Sequence, residues 1–134
     1  MVARSRKMVD GPALEALLCR HGIPRSAPAS LEPFAYATIR IDRPEGARGT
    51  LDVTIDGIRA TGPCPLDEAH AVSIAAAFSL RALLPSGSSS AEAFASLLNK
   101  MSDAFVESGA RRMVFHQVRV YSGDCNVGPV VAEI

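Results

Sequence analysis

The 134-residue sequence has no tryptophan and few other aromatics, five phenylalanines and two tyrosines. It also has no net charge, with 14 Lys+Arg against 14 Asp+Glu. That balance removes the broad electrostatic attraction on which polyanion binders depend, so neither nucleic acid nor a membrane surface is expected as a partner. No apolar run reaches the ~20 residues of a membrane span. The longest apolar-rich stretch, 69–84, is broken by His70, Ser73, Ser79 and Arg81. No apolar run of signal-peptide length follows the basic start Met1-Val-Ala-Arg-Ser-Arg-Lys-Met8, which gives a cytoplasmic reading. Cysteine pairs are missing: Cys19, Cys64 and Cys125 are odd in number, far apart and without a C-x-x-C. With His21, His70 and His116 they do not make a zinc pattern, so three buried thiols and no metal are expected. Lysine is scarce as well. Only Lys7 and Lys100 stand beside twelve arginines, which leaves little room for a catalytic lysine.

What is present is a hydrophobic share of 48% with 21% charged residues, the composition of a folded domain. A chain of this length buries roughly two-thirds of its unfolded surface without staples. Asp10, Pro12 and Gly22 bracket a short helix over 12–21, and 23–33, with three prolines, reads as a linker. Residues 34–41 alternate, as do residues 50–58, around the turn-rich stretch 43–49, which predicts a hairpin. Gly62-Pro-Cys-Pro65 then breaks the sheet. A helix over 67–84 is apolar over most of its circumference, which asks for burial on a second side, by another subunit. Ser89-x-x-Glu92 reads as a capping box for the next helix, whose stripe is Phe94, Leu97, Leu98, Met101 and Phe105, with Gly109 ending it.

Residues 113–121 alternate again, with Val114, His116, Val118 and Val120 on one face and Phe115, Gln117, Arg119 and Tyr121 on the other. A turn over 122–126 leads to a last strand, 127–134. The order predicts an α+β fold, β-β-α-α-β-β, with an antiparallel sheet, two long helices on one face and a short N-terminal helix. The division expected is 1–33, N-terminal helix and linker, and 34–134, the α+β domain.

No P-loop, G-x-G-x-x-G, G-x-S-x-G or H-E-x-x-H motif occurs. Two short patches, Glu92-Ala-Phe-Ala95 and Asn126-Val-Gly-Pro-Val-Val131, are similar to the dihydroneopterin aldolase family. Together with the element order, they make the chain resemble the tunnelling fold of pterin and purine enzymes. The resemblance implies a homo-oligomeric lyase of folate biosynthesis acting on a pterin- or purine-like heterocycle, without a cofactor. Glu92 matches the glutamate that accepts hydrogen bonds from the pterin edge, work that suits a carboxylate facing two parallel donors. The family's lysine in the last hairpin is absent from 121–126, so proton transfer falls to His116, Tyr121 or His70. Arg119 and Gln117 complete the expected substrate-binding set with Glu92.

A second stretch, Pro65-Leu-Asp-Glu-Ala-His-Ala71 through Leu83-Leu84, resembles the carboxy-terminal subdomain of the ATP-grasp domain in acyl-CoA ligases. The family's Gly-Arg-Gly loop is replaced by Ser86-Gly-Ser-Ser-Ser90, and its Glu-x-Asp-x-Asn metal motif is absent. This resemblance implies a degenerate, non-catalytic protein that binds or assembles.

Overall fold

The computed structural model describes residues 8–25, 32–44, 48–85 and 88–134. The basic start, the middle of the proline-rich linker, the tip of the 43–49 loop and part of the serine-rich loop lie outside the described residues. Helix α1 (Gly11–Arg20) has Pro in its first turn, buries Leu14, Leu17 and Leu18, and is followed by Gly22 in the left-handed region. Asp10 precedes it without a side-chain capping bond.

Strands β1 (Ala35–Asp42) and β2 (Gly49–Ile55) pair antiparallel, with Ile39 opposite Val53 and Ile41 opposite Leu51. Their alternation sends Ala37, Ile39, Ile41, Leu51, Val53 and Ile55 into the core. The expected strand 50–58 is in fact two strands. Asp56 and Gly57 both have positive φ, a two-residue hairpin turn, and the chain returns as β3 (Ile58–Cys64). Pro63 does not break the sheet, because β3 lies at its edge, where a missing N–H is tolerated.

Helix α2 (Glu68–Leu80) starts on Asp67, whose carboxylate accepts the His70 N–H at 2.8 Å. It stops at Leu80, short of the expected Leu84. Ala82 adopts φ +59, its N–H reaches Ser79 O, and the Leu83 N–H reaches Phe78 O, a Schellman closure. Leu84 then folds back into the core. Helix α3 (Ser88–Ser108) buries the predicted stripe of Phe94, Leu97, Leu98, Met101 and Phe105, and Gly109 ends it at φ +68. Ser89 lies inside α3, and among the described residues no hydrogen bond joins it to Glu92. Ser90 instead accepts the Gly123 N–H.

The chain finishes with β4 (Arg112–Tyr121), β5 (Asp124–Asn126) and β6 (Val130–Glu133). The sheet runs β3-β2-β1-β4-β5, and β6 pairs with the other half of the same β4 edge. The fold is therefore α+β, an antiparallel six-stranded sheet with the helices against one face, as the element order predicts. Helix α2 packs on α3 and β3, α3 reaches β4 and β5, and α1 touches α3. Phe78 meets Phe94 edge-on at 6.3 Å, and buried Ser102 of α3 accepts the Leu66 N–H at 2.8 Å. Arg20 and His21 both reach Glu107, fastening α1 to the end of α3. Of the three thiols expected to be buried, Cys64 and Cys125 are; Cys19, on the outer side of α1, is exposed.

The alternation expected along β4 fails at its middle. Ala37 pairs with Val118, but Ile39 pairs with Phe115, so β4 carries one more residue than β1 between these points. The surplus is a β-bulge at His116–Gln117, with Gln117 at φ +48. It reverses the phase of the strand. Met113, Phe115, Val118 and Val120 all enter the core, while Val114 is displaced to the other face and His116 is exposed. On the outer edge, Gly128 and Pro129 follow the bulge closely: the Gly128 N–H reaches His116 O and the His116 N–H reaches Pro129 O. A Cβ on Gly128 would stand 2.8 Å from that carbonyl oxygen and 2.9 Å from Gln117 Cβ. Gly128→Ala is therefore expected to cost about 1–3 kcal/mol in urea unfolding, as overpacking does. An unchanged midpoint would contradict the close approach.

Candidate functional site

The face of the sheet away from the helices is lined by polar side chains. On it, Asp42 accepts from Arg40 at 2.5 Å and from Arg112 at 2.6 Å, and Asp52 pairs with Arg59. Burial pushes the Asp42 carboxyl up, but the hydrogen bonds from Arg112 and Arg40 outweigh it and hold it below its ordinary 3.8. These charges neutralise one another along the strands.

Beside them the bulge opens a depression of about 470 Å³, walled by Tyr36, Ala37, Thr38, Gln117 and Arg119. Tyr36 and Arg119 are directly opposed in the β1–β4 register. Opposed residues of an antiparallel pair share a face, so the ring and the guanidinium stand side by side. Tyr36 is 59% exposed. Arg119 differs from the other arginines of this face. Its Nε is buried without a hydrogen-bond partner, and among the described residues no carboxylate pairs with it. Across the next strand Arg119 is opposed to Asn126, which is buried with both amide atoms unpartnered. A buried amide or guanidinium N–H without a protein partner costs free energy unless another group satisfies it.

The six residues expected to act are not gathered in one place. Gln117 and Arg119 both line the depression. His116 adjoins it on the bulge and is exposed, with its backbone held by Gly128 and Pro129. Tyr121 ends β4 opposite Asp124 and is 4% exposed. His70 lies on the first turn of α2, where its ring meets the Asp67 carboxylate at 2.7 Å. That carboxylate is held below its ordinary value first by the His70 backbone N–H, then by the His70 ring. Glu92 is exposed on α3. His70 and Glu92 thus belong to the helix layer, on the other side of the sheet from the depression. Burial disfavours the thiolate form of the two buried thiols. Burial pushes Cys64 up, and Cys125 is pushed up to about 12. Among the described residues no group of three His, Cys, Asp or Glu could hold a metal ion.

Sequence reasoning did not name Tyr36, Thr38 or Asn126 for the site. Tyr36 and Thr38 belong to the polar face of the first alternating segment. The spacing Phe115-x-x-Val118, three residues where alternation asks for two, is the signal that announces the bulge. Nothing local distinguishes Asn126.

No protein-family model matches the sequence, and no curated protein does. Solved structures do. The dinucleotide forming acetyl-coenzyme A synthetase 1 of Ca. Korarchaeum cryptofilum, in complex with coenzyme A, Ca-AMPCP and HgCl+, matches with TM-score 0.64 and 18% identity. The match covers 78% of this chain and 51% of that one. PH1788 from Pyrococcus horikoshii Ot3 matches with TM-score 0.62 and 16% identity, over 78% of this chain and 50% of that one. ACD1 of Ca. Korarchaeum cryptofilum in complex with coenzyme A matches with TM-score 0.64 and 19% identity, over 78% and 52%. The chain shares their fold and spans about half their length.

These matches overturn the dihydroneopterin aldolase resemblance, and with it the lyase, pterin and folate readings and the tunnelling-fold kinship. The two patches that suggested it do other work. Glu92 sits exposed on α3 away from the sheet's open face, and Asn126-Val-Gly-Pro is the crossing that follows the β4 bulge. The acyl-CoA ligase resemblance of 65–84 agrees better with the fold. Among the described residues, no helix is long and apolar enough to cross a membrane.

Two outcomes test this account of the open face. Asp42 has a lowered folded pKa, so its stabilisation is complete above its unfolded value and is lost as the pH falls through the folded one. Asp42→Asn should cost about 1 kcal/mol near neutral pH, and the difference should shrink as the pH falls through the acidic range. A pH-independent difference would contradict it. Asn126→Leu should keep or raise the unfolding free energy, by about 1 kcal/mol, because it removes unpartnered groups. A marked loss of stability would mean that the amide has a structural partner.

Proposed function

We propose that the chain is a non-catalytic binding and assembly module with the architecture of half an acetyl-CoA synthetase chain, and that it holds a phosphate-bearing heterocycle at Arg119. The observation that carries this reading is the unpartnered Arg119 Nε at the wall of the depression. A guanidinium stays charged and presents forked donors that match phosphate or carboxylate oxygens. In a concave polar site such a group calls for an anion. Tyr36, opposed to it, offers an exposed ring face on which a planar heterocycle can stack. Two of the similar structures hold coenzyme A and one also holds Ca-AMPCP, which supports an adenine-and-phosphate ligand of that kind.

The non-catalytic part of the reading rests on dispersion. His70, Glu92 and Tyr121 do not line the depression that Gln117 and Arg119 share, and general acid–base work needs them within hydrogen-bond reach. The ligase-like stretch also lacks its Gly-Arg-Gly loop and metal motif. In this reading residues 34–134 carry the site and α1 braces α3 through Arg20, His21 and Glu107, in the cytoplasm.

Isothermal titration with coenzyme A and with ATP tests it. The chain should bind at least one of them, Arg119→Met should weaken binding tenfold or more (about 1.4 kcal/mol) without lowering the melting temperature, and neither ligand should be turned over. No binding of either ligand, or binding that Arg119→Met leaves unchanged, would refute the assignment.

A further inference from the structure

The arginines of the open face follow a rule with one exception. Arg112 is directly opposed to Asp42 across β1 and β4, and Arg40 to Asp52 across β1 and β2. Both guanidinium groups meet a carboxylate, that of Asp42, and Arg59 meets that of Asp52. Arg119 is opposed to Asn126 instead. An amide of the same shape offers the acceptor oxygen of a carboxylate without its charge, so the charge of Arg119 is left uncancelled.

Asn126 is 2% exposed, and both its amide atoms lack a partner. The Arg119 Nε is buried and lacks one too. One residue thus has an unused acceptor and the other an unused donor. Opposed residues of an antiparallel pair have Cβ atoms about 5 Å apart, within the span of these two side chains. Idle, the buried atoms cost free energy, and pairing Oδ1 with the Nε–H recovers part of it.

Such pairing has a geometric consequence. A guanidinium holds its donors in a fixed plane, one on Nε and the rest on the two terminal nitrogens, so an acceptor on Nε sets the direction of the others. Strand β4 lies between β1 and β5, so Tyr36 and Asn126 flank Arg119 on opposite sides. An Nε held on the Asn126 side leaves the terminal nitrogens to the Tyr36 side, where the depression lies.

We propose that Asn126 is a positioning residue for Arg119: with an anionic ligand in the depression, its Oδ1 accepts the Arg119 Nε–H and aims the terminal nitrogens at that ligand. This inference rests on Arg119 being the ligand's anchor. Asn126 does not line the depression, so it acts through Arg119. Its lack of charge matters, because a carboxylate in its place would compete with the ligand for the guanidinium.

A double-mutant cycle of isothermal titrations with coenzyme A and with ATP tests it, using Asn126→Leu, Arg119→Met and the two combined. Asn126→Leu should weaken binding about fivefold in the unmodified chain and not at all beside Arg119→Met. Asn126→Asp keeps an acceptor oxygen but adds a charge, and should weaken binding further. The melting temperature of the free Asn126→Leu chain should not fall, which separates positioning from support of the fold. By NMR, the Arg119 Nε–H should gain protection from solvent exchange on ligand saturation, and Asn126→Leu should abolish that gain. Single-variant effects that simply add, or binding that Asn126→Leu leaves unchanged, would overturn the positioning role while Arg119 stands as anchor. No binding of either ligand, or binding indifferent to Arg119→Met, would overturn both.

Discussion

The bulge at His116–Gln117 is the constraint on which the rest of the sheet depends, because β4 is the strand that every later element pairs with. One surplus residue relative to β1 lets Phe115 and Val118 both point into the core, where strict alternation would send one of them to solvent. The same surplus turns Gln117 through a left-handed φ and leaves an opening on the open face, with Arg119 at its wall. The outer edge must then accommodate the distortion. It does so with a residue that has no Cβ, Gly128, pressed against the bulge carbonyl between the two short strands β5 and β6. Core packing, the split edge and the site are thus consequences of one backbone irregularity. Bulges near functional sites commonly re-aim side chains in this way.

The two faces of the sheet follow different economies. The helix-covered face is fully apolar, and its stability rests on burial of β-branched and aromatic side chains against α2 and α3. The open face is built from opposed charges whose partners are near, Asp42 between Arg40 and Arg112, and Asp52 with Arg59. The Arg119 Nε and the Asn126 amide break that rule, on opposed residues and, among the described residues, without partners. Local departures from good polar pairing in an otherwise consistent fold mark places held for function.

Much of this was legible in the sequence, and the failures have physical reasons. The stripe of α3, the first hairpin and the helix stops at Gly22 and Gly109 follow from periodicity and turn chemistry. Strand β3 is hidden because the prolines in 62–65 read as a break, although Asp56-Gly57 is a strong two-residue turn signal and a proline is harmless at an edge. The end of α2 carries no glycine signal, because an alanine takes the left-handed position at Ala82. In the site, Arg119 and Gln117 were readable as the polar face of a strand. Tyr36 required the β1–β4 register, and the burial of Asn126 required tertiary packing that no local pattern encodes. The order β-β-α-α-β-β suits more than one architecture, so short patches around Glu92 and Asn126 pointed to the wrong one.

The central claim is that the open sheet face at the bulge is where a ligand sits. Amide chemical-shift mapping of the labelled chain during titration with coenzyme A tests it most directly. The account predicts that the shifted resonances cluster at Tyr36, Ala37, Thr38, Gln117 and Arg119. Shifts confined to α2 and α3, on the far side of the sheet, or no shifts at all, would contradict it.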